Sequence, residues 1–332
     1  MKKITFLLFL IFNLSFSQNY FTRLSSDNNT DKQIQLLDLP SNTTFYSFDY
    51  DGFISQLYNV SERGDFNPGN ITYLKLPDSN NDFLTYEIVE ASSMTKEMQN
   101  LYPQIRSFAG NNVSNPSEYL RFSISPTRGI DATIFNAKRG TEIITAISSD
   151  LIAVYNRSDR KSSSKFKCSS PNSSFHTDEY IKKNNYEFLD ADDSVLKTFK
   201  VAISTTGEYT QYHGGTKVGA ISAINSSLTR INGLYETDFN ITMTLVNNTN
   251  IIYTNPNTDP YAPGGFNNQL STVLDSQFPG GAGYDVGHLY SLDNDNGNAG
   301  CIGCICRITS GFNAVHKGSA FTSSTIPEGD RF

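Results

Sequence analysis

A helical pattern between two strand-like segments is the feature that most limits how this 332-residue chain can fold. Over residues 216–235, apolar side chains recur at steps of three and four residues, which places them on one face of a helix. Strand-like segments at 198–204 and 238–253 flank this helix, and a further helix and strand are predicted at 264–277 and 284–291. Connections of this length join parallel strands, so the second half predicts an α/β layer with mainly parallel pairing. The apolar face of the first helix consists of Val218, Ile221, Ile224, Leu228, Ile231 and Leu234.

The first half of the chain shows strand patterns with little helix. Short segments rich in β-branched and aromatic residues alternate with turns of Asn, Asp, Gly and Pro. One helix is predicted near residues 94–101. Strands at this spacing indicate a β-rich domain, such as a sandwich. The predicted strands are 45–50, 71–76, 83–89, 119–124, 131–135, 141–147 and 151–155.

The composition then changes abruptly. Residues 157–165 are charged or small and include no apolar side chain, and the polar character continues beyond them. Such composition is typical of a linker. We therefore predict a two-domain chain that combines α+β and α/β features, with a β-rich domain at 18–156, a polar linker at 157–195 and an α/β domain at 196–332.

The N-terminus carries the pattern of a signal peptide. Lys2 and Lys3 precede an apolar run at 4–16, and small residues at Ser15 and Ser17 predict cleavage after Ser17. The run is shorter than the ~20 apolar residues that a membrane helix requires. No later stretch approaches that length. We expect a secreted, extracellular protein with no membrane span after signal cleavage.

Composition narrows the classes of partner. Charged residues make up 18% of the chain, which fits a folded protein. The net charge of −7 and the absence of a basic stripe argue against nucleic acid as the partner.

Motif spacing alone identifies no active site. The four histidines are His176, His213, His288 and His316, and no two stand four residues apart, the spacing that places two zinc ligands on one helix face. The sequence also has no serine nucleophile elbow, phosphate-binding loop or dinucleotide fingerprint.

Four cysteines offer two kinds of chemistry. Cys301, Cys304 and Cys306 lie close together, and Cys168 lies far away in the linker. A structural zinc site needs four ligands, and the fourth would have to be Cys168 or His316. Export to an oxidising compartment favours a disulfide among Cys301, Cys304 and Cys306 instead, and the sequence leaves the pairing open.

Several segments of the second half, taken in order, resemble one family. From about residue 197 to 332 the chain resembles the N-terminal, upper subdomain of secreted bacterial reprolysin-like (adamalysin-type) metalloproteases, which belong to the metzincins. The first half resembles the propeptide region of such enzymes more loosely. The matching segments are 201–210, 213–215, 225–239, 252–254, 259–261, 284–288 and 323–332.

The resemblance implies a zinc-dependent activity. In this family, a Gly-Asp-x-Phe segment like that at 329–332 stands shortly before a helix with the pattern His-Glu-x-x-His-x-x-Gly-x-x-His, whose histidines bind zinc. The resemblance therefore implies a zinc metalloendopeptidase that acts on peptide or protein substrates. None of these ligands occurs in the 332 residues, so we expect a fragment that ends before the zinc-binding helix, binds no catalytic zinc and is inactive. We also expect its sheet to lack a covering helix and to expose apolar surface.

The resemblance also suggests two functional segments. Cys168 lies at the end of the propeptide-like half, where a thiolate could occupy the open zinc position as a cysteine switch; a disulfide is the alternative. The family's edge strand binds substrate by adding an extended peptide to the sheet. It corresponds here to Asn298, Ala299, Gly300, Cys301, Ile302, Gly303, Cys304 and Ile305.

A function of a different class remains open. The missing histidine motif is also compatible with a non-enzymatic extracellular binding or adhesion module that holds a partner peptide along the same edge strand.

Overall fold

The computed structural model describes residues 20–25, 39–65, 71–160, 166–170, 195–301, 303–306 and 316–327. The predicted signal peptide and the segment at 329–332 lie outside these ranges. Within them, no helix is both long enough and apolar enough to cross a lipid bilayer.

A nine-stranded antiparallel sheet forms the N-terminal half, as the alternating patterns predicted. Its strands lie in the order β1-β2-β9-β8-β7-β6-β5-β4-β3, so neighbours in sequence are mostly neighbours in space. Two short helices accompany it, α1 (Tyr50–Ser55) and α2 (Lys96–Leu101). The strands are β1 (Phe21–Arg23), β2 (Thr44–Phe48), β3 (Thr72–Pro77), β4 (Phe83–Glu90), β5 (Arg106–Asn112), β6 (Tyr119–Ser125), β7 (Gly129–Asn136), β8 (Gly140–Ala146) and β9 (Leu151–Asn156).

This curled sheet holds an aromatic core on one face. Phe53 of α1 is fully buried, and its ring centroid lies 5.7, 5.3 and 6.2 Å from those of Phe21, Phe48 and Phe122. Residues of one parity along β6, such as Leu120 and Phe122, join this core because side chains alternate between the two faces of a strand. The N-terminal half therefore has an apolar core of its own.

The C-terminal half contains a mixed six-stranded sheet in the order β10-β14-β15-β13-β11-β12. β11 pairs in parallel with β12 and β13, and β13 pairs in parallel with β15, as predicted for the α/β layer. The strands are β10 (Lys167–Cys168), β11 (Lys197–Thr205), β12 (Ile241–Leu245), β13 (Val286–Ser291), β14 (Asn296–Asn298) and β15 (Ala320–Ser323). The helices are α3 (Gly207–Tyr212), α4 (Lys217–Phe239) and α5 (Phe266–Gln277).

Both faces of the central strands are covered. Val201 and Ile203 pack in a cluster with α4, whereas Ala202 and Leu289 pack in a second cluster with α5. The expectation that this sheet exposes an apolar face is therefore wrong for β11 and β13. Its physical reason is that α5 supplies a second apolar surface, including Leu270, to the face opposite α4.

Local capping fixes the limits of the long helix. The Thr216 side chain accepts a hydrogen bond from the Gly219 N–H at the N-terminus, and Asn240 closes the C-terminus in the left-handed conformation with φ 53°. The helix continues through Phe239, so the strand predicted at 238–253 is confined to β12.

Candidate functional site

The edge strand β14 is the candidate substrate-binding element. It pairs antiparallel with β15, with Asn296 opposite Ser323 and Asn298 opposite Phe321. Its other side pairs in parallel with β10, which comes from the linker that precedes this half. The outer edge of β14 is therefore occupied by an extended segment of the same chain.

Backbone hydrogen bonds hold this covering segment, residues 166–170, against β14. The Lys167 N–H donates to the Asp295 carbonyl at 3.1 Å, and the Ser169 N–H donates to the Gly297 carbonyl at 2.9 Å. Strand addition of an extended peptide uses the same kind of backbone bond. The covering segment thus occupies the place that a bound peptide would take.

Side chains of the covering segment and of β14 add further contacts. Asn298 Nδ2 donates to the Ser169 carbonyl at 2.9 Å, and the Ala299 N–H donates to Ser170 Oγ at 2.8 Å. A Cβ added to Gly297 would lie 2.9 Å from Phe166 Cζ, so the absence of a side chain at Gly297 makes room for the ring. Ser169, Ser170 and Gly297 were not among the predicted site residues.

The segment predicted as the substrate edge, 298–305, lies mostly beyond the strand. Only Asn298 belongs to β14, and the described residues that follow form bends and turns. Gly300 and Gly303 have φ of 68° and 74°, which extended backbone does not adopt. Ile302 lies outside the described residues.

The cysteines of this region differ in state. A disulfide joins Cys301 to Cys304, whose Cα atoms are 5.7 Å apart, and the thiols of Cys168 and Cys306 are free and exposed. Hydrogen bonds from the Ser170 hydroxyl and backbone N–H lower the pKa of Cys168. A lowered pKa favours the thiolate, which is the form of cysteine that binds metal.

The described histidines do not converge on a metal site. His213 contacts Arg128, with 3.4 Å between Nδ1 and Nη1. His288 Nε2 lies 2.9 Å from Thr322 Oγ1, and burial lowers the pKa of His288 to about 4.

His316, the third described histidine, likewise contacts groups that are not part of a metal site. His316 Nδ1 accepts the Gly318 N–H at 2.9 Å, and its Nε2 lies 3.2 Å from Asp275 Oδ1. His176 lies outside the described residues. No group of three or more His, Cys, Asp or Glu residues within the described ranges could hold a metal ion, so these residues do not fit a catalytic zinc.

Comparison with known proteins identifies one family in the C-terminal half. Residues 195–332 match the family model Reprolysin_4, described as metallo-peptidase family M12B, reprolysin-like. No curated protein matches the chain. The family match confirms the resemblance that the ordered segments indicated.

Proposed function

We propose, from the match of residues 195–332 to the reprolysin-like model of metallopeptidase family M12B, that the chain is the front part of a secreted zinc metalloendopeptidase. Residues 18–156 serve as its propeptide, 157–195 as the connecting linker and 196–332 as the first part of its peptidase domain. The substrates are peptides or proteins. The observation that carries the proposal is the covering segment, which fills the outer edge of β14.

The covering segment supports a latent state of the enzyme. An extended substrate would add to β14 through its backbone, and the Asp295 and Gly297 carbonyls that would receive it already accept bonds from Lys167 and Ser169. A segment that precedes the peptidase domain thus competes with substrate for the same edge. Cys168 lies in the middle of this segment with a free, exposed thiol, which supports a role as the cysteine switch.

In the complete enzyme, the histidines of a His-Glu-x-x-His-x-x-Gly-x-x-His helix would hold the zinc, which would supply Lewis-acid activation of water. The 332 residues contain no His-Glu-x-x-His pattern, so we expect the purified chain from residue 18 to bind no stoichiometric catalytic zinc and to cleave no protein substrate. Metal analysis after dialysis and a casein digestion assay test this expectation. One equivalent of tightly bound zinc, or proteolysis that a chelator abolishes, would contradict it.

A reading of the gene separates the proposal from the binding-module alternative. Translation beyond codon 332 in all three frames should reveal the pattern His-Glu-x-x-His-x-x-Gly-x-x-His. Both functions use the same edge strand, so the DNA sequence and not the fold separates them. A stop followed by unrelated sequence would favour the non-enzymatic extracellular module.

Replacing Ser169 with proline is expected to loosen the covering segment, because proline has no N–H to donate to the Gly297 carbonyl. One backbone hydrogen bond contributes about 1 kcal/mol, so amide exchange at Ala299, which donates to Ser170 Oγ, should become roughly fivefold faster. Hydrogen–deuterium exchange read by mass spectrometry measures the change.

The matched control is Cys168→Ser. This control changes only a side chain, so it leaves the Lys167 and Ser169 N–H donors in place and should keep normal exchange. Equal exchange in the two variants would show that the covering segment is not held by these bonds. In a protein that carries the zinc-binding helix, Cys168→Ser should also weaken latency, because the covering segment stays in place but loses its thiolate. Latency equal to that of the unchanged protein would exclude the cysteine switch.

A further inference from the structure

A small polar cavity lies between helix α4 and strands β6, β7 and β8. Its volume is about 10 Å³, which is room for one water molecule or one small ion. Because charged side chains form part of its wall, the cavity suits a polar occupant and not an apolar one. Its lining includes Arg121, Asp131, Thr133, Ser226, Thr229 and Arg230.

Arg121 brings an unsatisfied hydrogen-bond donor to this cavity. Its side chain is 1% exposed; Nε donates to the Thr229 carbonyl at 3.4 Å, and Nη2 donates to Ser93 Oγ at 3.5 Å. Nη1 has no hydrogen-bond partner among the residues that the structure describes. A buried donor that lacks an acceptor is costly, and more so when it is charged. An acceptor beside Arg121 Nη1 would therefore stabilise the fold.

A second unsatisfied donor lies on the same face of α4. Asn225 is 1% exposed, and its Oδ1 accepts the Ser107 hydroxyl at 3.1 Å, whereas its Nδ2 has no partner within the described ranges. Asn225 directly precedes Ser226, and Thr229 Oγ1, one turn later, donates to the Asn225 carbonyl at 2.6 Å. Ser226 and Thr229 both line the cavity, so the free amide of Asn225 lies beside it.

The charges that line the cavity are positive in sum. Arg121 and Arg230 contribute two guanidinium groups, and Asp131 contributes one carboxylate. That carboxylate is already paired, since Arg128 Nε lies 3.0 Å from Asp131 Oδ2. Asp131 therefore leaves the charges of Arg121 and Arg230 unbalanced.

Glu236, a second carboxylate near Arg121, does not restore the balance. Its Oε1 lies 3.9 Å from Arg121 Nη2, whereas Arg63 donates to both of its oxygens at 2.9 Å each. Burial lowers the pKa of Arg121 more than the charge of Glu236 raises it, so the buried cation is only partly compensated. Around the cavity, four guanidinium groups thus face two carboxylates.

A monovalent anion fits these conditions better than a water molecule does. Arg121 Nη1 and Asn225 Nδ2 both donate, and a halide ion only accepts, whereas water brings two protons that need acceptors of their own. Hydrogen bonds between a guanidinium group and an anion are also stronger than those between neutral groups. The volume of the cavity excludes larger anions such as sulfate.

We propose that this cavity is a binding site for one chloride ion, which accepts hydrogen bonds from Arg121 Nη1 and Asn225 Nδ2. The ion stabilises the folded chain because it offsets the excess of buried positive charge. The site requires neither zinc nor proteolysis, so its test is independent of the proposed function.

Unfolding in two salts tests the site. The chain from residue 18 is unfolded with urea in sodium chloride and, at equal ionic strength, in sodium gluconate, whose anion is too large for the cavity. For a dissociation constant of about 10 mM, chloride at about 100 mM should lower the unfolding equilibrium constant roughly tenfold. The effect should saturate as the chloride concentration rises, as binding to a single site does.

Three variants assign the effect to the cavity. Arg121→Met should abolish the difference between the two salts, and so should Thr133→Ile, which enlarges a lining side chain but keeps a β-branched residue in β7. The control Arg106→Met removes a half-buried guanidinium of β5 that pairs with Glu90 and should keep the difference. Because each variant is compared with itself in the two salts, its own loss of stability does not affect the result.

Bromide locates the ion directly. A crystal soaked in sodium bromide should show an anomalous peak within hydrogen-bonding distance of Arg121 Nη1. Two results would overturn the proposal. One is an unfolding equilibrium constant of the unchanged chain that is the same in chloride and gluconate; the other is a water molecule, with no bromide, at Arg121 Nη1.

Discussion

Replacing Arg139 with methionine is expected to destabilise the N-terminal sheet by about 3–5 kcal/mol, because three buried carboxylates lose the cation that they share. Arg139 Nη1 lies 2.5 Å from Asp78 Oδ2 and 3.1 Å from Glu142 Oε1, and Nη2 lies 2.6 Å from Glu118 Oε2. The three carboxylate side chains are at most 2% exposed, whereas Arg139 reaches the surface. Methionine keeps the apolar stem and removes the charge.

The pKa values of Glu118 and Glu142 are shifted in opposite directions. Burial alone would raise the pKa of Glu118, but hydrogen bonds from Tyr86, Asn112 and other neighbours outweigh burial and lower it. Burial raises the pKa of Glu142, and the charges of Asp78 and Glu118 raise it further. When Arg139 is absent, Glu142 therefore takes up a proton at a higher pH than Glu118 does.

The pH dependence follows from these directions. A lowered pKa, as at Glu118, contributes stability above the unfolded-state pKa and loses it as the pH falls through the folded-state pKa. A raised pKa, as at Glu142, contributes stability at low pH and loses it as the pH rises. Removal of Arg139 raises the pKa of both Glu118 and Glu142, so the deficit of Arg139→Met should be largest near pH 7 and shrink toward pH 5.

Urea unfolding followed by circular dichroism at pH 7 and pH 5 measures the effect. Arg23→Met, an equal change at an exposed position of β1, is the control and should cost less than about 0.5 kcal/mol. Glu142→Gln combined with Arg139→Met should recover part of the loss. Equal midpoints for Arg139→Met and Arg23→Met would show that the carboxylates do not depend on the guanidinium.

The spacing of apolar residues predicted most of the helices and strands, because each of these elements buries one of its faces in an apolar core. The strand patterns of the first half correspond to β2–β4 and β6–β9, and the three- and four-residue steps at 216–235 correspond to α4. Strand β5 was missed, because its sequence Arg-Ser-Phe-Ala-Gly-Asn-Asn has a polar, glycine-containing end that resembles a turn. Its place is fixed by pairing with β4 and β6.

The candidate site was harder to predict because its contacts are distant in sequence. β14 is Asn-Gly-Asn, a sequence with no preference for strands, and it is extended because it pairs with β15 and β10. Cys168 was selected from its position alone, and nothing in the sequence indicates that it lies opposite Gly297. The burial of polar residues of α4, such as Asn225 and Thr229, was likewise not predicted, since helix periodicity cannot reveal a second partner.

The side chain of Asn232 hydrogen-bonds to the outer edge of β12. A large loss of stability is therefore expected when this side chain is replaced. Asn232 is fully buried; its Oδ1 accepts the Met243 N–H at 2.8 Å, and its Nδ2 donates to the Met243 carbonyl at 2.9 Å. Two residues further along β12, the Leu245 N–H donates to the Ser93 carbonyl, and the Leu245 carbonyl accepts the Thr95 N–H of the N-terminal half. The side-chain amide of Asn232 thus bonds to the backbone of Met243, whereas the N-terminal half bonds to the backbone of Leu245.

Substituting Asn232 with leucine, which has nearly the same shape, is expected to lower the free energy of unfolding by about 2–4 kcal/mol. The reason is that both backbone groups of Met243 lose their partner at a partly buried position, at about 1–3 kcal/mol for each group left unpaired. Asn268→Leu, at an exposed position of α5, is the matched control and should be nearly neutral. Chemical unfolding gives the free energies, and amide exchange at Met243 locates the loss. If Asn232→Leu and Asn268→Leu gave the same free energy of unfolding and the same amide exchange at Met243, the Asn232 side chain would not stabilise this strand edge. Water would then have to bond to the Met243 backbone in its place.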